Sequence, residues 1–222
     1  MKLWGKPRVL AVAMGICSAV LAPGAVSASV ISVTSAYFGA GSTLTTFTGL
    51  ADGTEVDGLV TDGLTFDYSL GSGAVIIDGG PGVTNNVDPP NIVSIGDPTG
   101  VLSVLLPSYT SAFGYGYAVL NVAPVANATT IALYDGATLV GTLSYNGIPD
   151  PIFAGGFAGI ASTIPFNSVQ ITFTSEVPAF AVDNIRTDTA LVSTVPEPAS
   201  LTLLGIGLAG IGARRWRQRK RT

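Results

Sequence analysis

From residue 29 to about residue 194 the chain is a succession of short β-like runs, each closed by Gly, Pro, Asn or Asp. No stretch between them reads as an amphipathic helix, which leaves sheet as the only regular structure available to the body. Residues 30–37 open the series and residues 44–48 follow. Residues 63–70 (GLTFDYSL) alternate apolar and polar side chains, as a half-buried strand does. Residues 74–77 and 101–106 are apolar runs, and residues 113–122 (FGYGYAVLNV) carry Gly114 and Gly116 at alternate positions. Residues 129–134 and 138–145 flank Asp135-Gly136, a hairpin signal. A Gly-rich run at 153–160 precedes 168–174 (SVQITFT), where Val169, Ile171 and Phe173 share a face, and 179–186 (AFAVDNIR) comes last. Roughly ten strands without intervening helices predict two antiparallel sheets packed face to face over residues 29–186, a β-sandwich of jelly-roll topology. The long turn-rich segment 78–100, with Gly79-Gly80-Pro81-Gly82, Asn85-Asn86 and Asp88-Pro89-Pro90-Asn91, is of the kind that lines a site.

Charge is scarce and segregated. Charged residues make up 11% of the chain, against roughly 25% in an ordinary soluble domain. All 14 carboxylates lie between Asp52 and Glu197, and the only basic residue among them is Arg186. Such a body repels phosphate backbones, so nucleic acid is not a partner. Between residues 29 and 194 there is no His, Cys or Lys. This removes Ser-His-Asp, Cys-His and Ser-Lys catalysis and leaves only carboxylate pairs, Glu55 with Asp57 or Asp67 with Asp78. Acids in loops and at strand ends ordinarily face water, and the chain is read as no enzyme. Asp52, Glu55 and Asp57 fall in one glycine-containing loop, where oxygen ligands suit calcium. Tyr109, Phe113, Tyr115 and Tyr117 offer either a sugar-stacking face or core, and Phe113 with Val119 favours core.

The two ends are built differently from the body. Residues 1–28 have the form of a secretory leader. Lys2, Lys6 and Arg8 are followed by an apolar run at 9–21, and small residues precede cleavage by signal peptidase after Ala28. The single cysteine, Cys17, lies in this leader. At the other end a polar tether, 187–194, leads to Val195-Pro196-Glu197-Pro198. An uncharged apolar run follows at 199–213, and the chain closes on Arg214, Arg215, Arg217, Arg219, Lys220 and Arg221. As a helix that run measures about 22 Å, short against a hydrocarbon core of about 30 Å. Continuing to Trp216 with snorkelling arginines makes a single span of about 199–216. The basic end stays cytoplasmic and the body is placed outside.

This order of stiff Pro-Glu-Pro turn, Gly-rich apolar helix and basic terminus resembles the PEP-CTERM sorting signal of Gram-negative bacteria, a tail also labelled "ice-binding protein C-terminal". The resemblance implies sorting and processing by exosortase near the 195–198 motif, with the protein held in the inner membrane beforehand and released to the cell surface or matrix afterwards. It also implies a place in exopolysaccharide and biofilm. Segments of the body, Phe180-Ala181-Val182-Asp183-Asn184-Ile185 above all, resemble β-sandwich PEP-CTERM proteins and jelly-roll carbohydrate-binding modules. That second likeness implies a structural calcium sharing Asp183 with Asp52, Glu55 and Asp57. The expected function is a structural or exopolysaccharide-binding module. A carboxylate-dependent polysaccharide enzyme and an adhesion or ice-binding surface are the alternatives.

Overall fold

The computed structural model describes residues 29–189. The leader, residues 190–194 of the tether, and the sorting tail with its span and basic end lie outside the described residues.

Eleven strands form in order: β1 (Val30–Ser32), β2 (Thr43–Thr45), β3 (Val60–Thr61), β4 (Leu64–Tyr68), β5 (Val75–Asp78), β6 (Asn91–Ser94), β7 (Leu102–Val119), β8 (Val125–Asp135), β9 (Thr138–Pro149), β10 (Ala154–Phe173) and β11 (Phe180–Asp188). All described pairings are antiparallel. They join into one hydrogen-bonded sheet ordered β5-β6-β11-β7-β10-β8-β9, with β1 on β10, β2 on β11, and β3 and β4 entering beside β7.

Two long strands explain how one sheet makes two layers. The first part of β7 pairs with β4 and with the end of β10, through Val104↔Phe66 and Val104↔Val169. Its last part pairs with the start of β10 and with β11, through Tyr117↔Gly156 and Tyr117↔Val182. Register shifts in β10 between Ala161 and Ser168 mark the bend, and Pro107 and Pro165 fall in this irregular zone. Bulges bend and twist a strand, so they turn its two halves onto different layers. The layers meet in one core. Phe173 stacks on Phe180 with centroids 4.1 Å apart, Tyr68 approaches Phe180 at 6.2 Å, and Tyr117 approaches Phe173 at 6.5 Å. Phe66, Val104, Phe113, Ile131, Ile160, Val169 and Ile185 are all fully buried in the same cluster.

The expected all-β sandwich is observed, with corrections at its joints. Runs 101–106 and 113–122 are one strand, as are 153–160 and 168–174, because Pro107 and Pro165 occupy bends and not breaks. The opening run stops at Ser32 and continues as a 3-10 turn, Ser35–Tyr37. The loop 78–100 contains a strand, β6, whose partners are β5 and β11. Among the described residues no helix is long and apolar enough to cross a membrane.

Phe113, Tyr115 and Tyr117 point into the core, with buried rings spaced 6.1 Å apart. The alternate glycines face the other way for a reason. A Cβ on Gly116 would sit 2.0 Å from the carbonyl oxygen of Asn86, and one on Gly114 would sit 2.6 Å from the Phe157 ring. The outer surface of this layer is therefore covered, by Phe157 with Val33 and Phe38 in one place and by the 84–87 loop in another.

Candidate functional site

The 78–91 segment is held down by polar contacts from three directions. The Thr84 hydroxyl donates to the Asp150 carbonyl. Asn85 donates from Nδ2 to the Phe153 carbonyl (2.7 Å) and to Thr84 Oγ1 (3.0 Å). Asn184 Nδ2 donates to the Asn86 carbonyl at 2.9 Å, and the Asp88 amide donates to Asp183 Oδ2 at 3.0 Å. Asn85, Asn86 and Asn184 all take positive φ, 50°, 65° and 51°. Asparagine tolerates that region better than other side chains, which accounts for its use at these corners.

Asp183 lies at the centre of this arrangement. It sits on β11 opposite Gly116, just before the register shift that Asn184 occupies. It is only 2% exposed, and its Oδ1 has no hydrogen-bond partner among the described residues. Burial pushes its carboxyl up from 3.8 to about 6, partly offset by the amides of Asp88 and Asn184 and reinforced by the Asp88 carboxylate. A buried acid with a vacant oxygen is costly unless something positive shares it. Beside it, Asp88 Oδ2 and the Asn86 carbonyl both accept from Asn184 Nδ2, at 3.5 and 2.9 Å.

The four acids expected to share calcium do not converge. Among the described residues no group of three or more Asp, Glu, His or Cys side chains is arranged to hold a metal. Glu55 accepts the Gly73 amide at 2.7 Å, and Asp57 accepts the Tyr68 amide at 3.1 Å and the Ser72 hydroxyl at 3.4 Å. These two stitch the 53–57 loop to the 68–73 turn, while Asp52 is exposed at that loop. Asp183 turns instead to Asp88. Sequence proximity grouped Asp52, Glu55 and Asp57, but Asp88 is 95 residues from Asp183, and no spacing rule reveals such a pair.

Beside this loop is a cleft of about 370 Å³. Its floor is Ala118, Val119 and Ala181, and its walls include Phe153, Leu120 and Asp78. The register Ala181↔Ala118 and Ala181↔Val93 brings β6, β11 and β7 together as that floor. Asp78 accepts the Gly79 amide through Oδ1 at 2.5 Å. The cleft is mostly apolar with one carboxylate and loop main chain at its rim, the mix found in small-molecule and sugar sites. Of the aromatics singled out in the sequence, only Tyr109 is exposed, and it donates to Asp135 at 2.9 Å. Phe153 opens the Gly-rich run 153–160 in the sequence, and nothing in that run marks it as part of a site.

The fold and its ends define an all-β sandwich joined to a C-terminal sorting segment. Residues 194–219 match the PEP-CTERM protein-sorting motif, so the chain carries the mark of an exosortase-sorted, exported protein. No curated protein matches the chain. Among solved structures it is similar to a point mutant of the carbohydrate-binding module CBM29-2, with 10% identity and a TM-score of 0.37 over 71% of this chain and 98% of that one. A CBM29-2 mutant complexed with cellulohexaose gives 10% and 0.37 over 72% and 100%. A family 29 carbohydrate-binding module gives 13% and 0.30 over 61% and 97%. Nothing about ligand transfers at this level of similarity.

Proposed function

We propose that the exported sandwich is a non-catalytic module of the cell envelope or extracellular matrix that binds exopolysaccharide in the cleft between the 78–81 turn and the ends of β7 and β11. The observation that carries this reading is the composition of that cleft. The Phe153 ring supplies an apolar surface for a pyranose face, and Asp78 supplies an acceptor for its hydroxyls. Exosortase, reading residues 195–198, and signal peptidase, cutting after Ala28, are the processing partners. The 199–216 span anchors the protein in the inner membrane until the tail is cut. The acids that a hydrolase would need at positions 55 and 57 are committed to main-chain bonds, which supports binding over catalysis. A structural calcium, if the module carries one, belongs at Asp183 with Asp88 and the Asn86 carbonyl. The vacant Asp183 Oδ1 supports that placement.

The test is a glycan array probed with the exported protein, in calcium and in EDTA. Binding without release of reducing ends, weakened by Phe153→Ala and by Asp78→Asn, is the expected result. Polymer cleavage lost on Glu55→Gln or Asp57→Asn would establish the enzyme reading in its place.

A further inference from the structure

We propose that the cleft beside the 78–81 turn is a subsite for a neutral N-acetylated amino sugar, with the acetamido group seated on its floor. The inference rests on the reading of that cleft as a glycan site and names the class of glycan it selects.

The floor is a trough of methyl groups. Val93, Ala181 and Ala118 lie side by side across β6, β11 and β7. The neighbours of Ala181, Phe180 and Val182, belong to the main core, so alternation along the strand turns Ala181 to the opposite face. There Ala118 and Ala181 form a small apolar cluster of their own with Val87, against which Val93 and Phe153 pack while remaining partly buried. Alanine at 118 and 181 leaves room above the sheet that larger side chains would fill. Sugar hydroxyls laid on this floor would lose water without gaining partners. A methyl substituent gains from the same contact.

The rim supplies the complement of an amide. Asp78 commits Oδ1 to the Gly79 amide, and its Oδ2 has no partner among the described residues. Gly80 also lines the cleft, and its N–H makes no hydrogen bond among the described residues. An acceptor and a donor two residues apart match an acetamido group, which has one N–H to give and one carbonyl to receive. A hydroxyl on the same sugar carbon places no methyl on the floor.

Charge rules out other substituents. Among the described residues no basic side chain lines the cleft, and Arg186, the only one between residues 29 and 189, is not part of it. A uronate or sulfate would meet Asp78 with no counter-charge in an acidic body. The ammonium of a free amino sugar would pair with Asp78 but would lose its hydration against the methyls. At about 370 Å³ the cleft is near the small end of ligand sites, about 300–1,000 Å³, which suits one or two sugar units.

The test is isothermal titration calorimetry of the full-length chain, in a detergent without a sugar headgroup. The ligands are four tetrasaccharides of matched linkage, built from N-acetylglucosamine, glucosamine, glucose and glucuronic acid. The N-acetylated tetramer should bind about tenfold tighter than the glucose one, through one charge-assisted hydrogen bond and a buried methyl. Ala118→Val, which fills the trough, should remove that preference, while Phe153→Ala weakens both tetramers alike. Saturation-transfer NMR needs no variant, and on the natural chain the acetyl methyl should give the strongest ligand signal. Equal affinity for the N-acetylated and glucose tetramers overturns the proposal and leaves the glycan reading standing. Tightest binding of the glucosamine or glucuronic acid tetramer also overturns it, by making charge the determinant. A chain that binds none of the four but binds other glycans overturns the proposal alone, and one that binds no glycan at all overturns both.

Discussion

Asp183 should make the protein more stable as the solution becomes mildly acidic, opposite to the usual behaviour of a paired carboxylate. Its folded-state value, about 6, lies above its ordinary 3.8. The folded protein therefore holds a proton that the unfolded chain releases between those two values. Above pH 6 the buried charge opposes folding by the full shift, about 3 kcal/mol at about 1.36 kcal/mol per unit. As pH falls from 6 to 4 that opposition disappears. The perturbation is Asp183→Asn, which keeps an oxygen able to accept the Asp88 amide at 3.0 Å and removes the charge. Its new amide donors enter a buried space, which costs about 1–3 kcal/mol if they find no acceptor, so absolute stability is the weaker readout. The sharper one is the difference in pH dependence. Urea unfolding followed by far-UV circular dichroism in EDTA, from pH 7 to pH 4, should show the natural chain gaining about 2.4 kcal/mol of the full shift relative to the variant, because the unfolded carboxyl has itself begun to take up a proton at pH 4. Tryptophan fluorescence cannot serve, because the two tryptophans, Trp4 and Trp216, lie outside the body. Parallel stability curves for the two proteins would refute the assignment of a buried, proton-holding carboxyl. Repeating the titration with millimolar calcium separates the cation reading, since only the natural chain should then gain stability near pH 7.

Gly116→Ala should lower stability by several kcal/mol and loosen the 84–88 loop, since its Cβ would fall 2.0 Å from Asn86 O; proteolysis within that loop reports it directly. Phe173→Ala should cost about 3–5 kcal/mol by removing the ring stacked on Phe180 at 4.1 Å, measured by urea midpoint. Tyr115→Phe should cost only about 1 kcal/mol, because Thr129 keeps its bond to the Thr172 carbonyl at 3.1 Å when the Tyr115 hydroxyl is lost; a thermal melt checks it. In a cell with active exosortase the mature C-terminus should fall near residues 195–198, and an intact mass ending at Thr222 would contradict processing.

Strand identity was legible wherever side chains alternate against a single core. Residues 63–70 and 168–174 show this, and so does the hairpin at Asp135-Gly136, where Asp135 pairs with Thr138. Strand length was not legible. β7 and β10 change layers part-way, so their middles carry prolines and polar residues that elsewhere end a strand. β6 was hidden because a four-residue strand between turns has too few residues to show a period. The site was harder still. The glycines of β7 were visible at alternate positions, but only the fold shows that Asn86 is the group approaching Gly116. Asp183 stood out only through the likeness of residues 180–185 to carbohydrate-binding modules, which grouped it with Asp52, Glu55 and Asp57; the pairing of β11 with β7 and the fold of the 84–88 loop set it beside Asp88 instead, with an unpartnered oxygen.

The position of β11 also decides how the molecule bears force. Any pull transmitted through the chain beyond Thr189 enters by this strand. β11 lies between β7 on one side and β6 with β2 on the other, bonded along both flanks. Tension along its axis must shear these ladders together and cannot open them one bond at a time. A body tethered by that end would hold under drag, with its last strand acting as a rivet through the middle of the sheet.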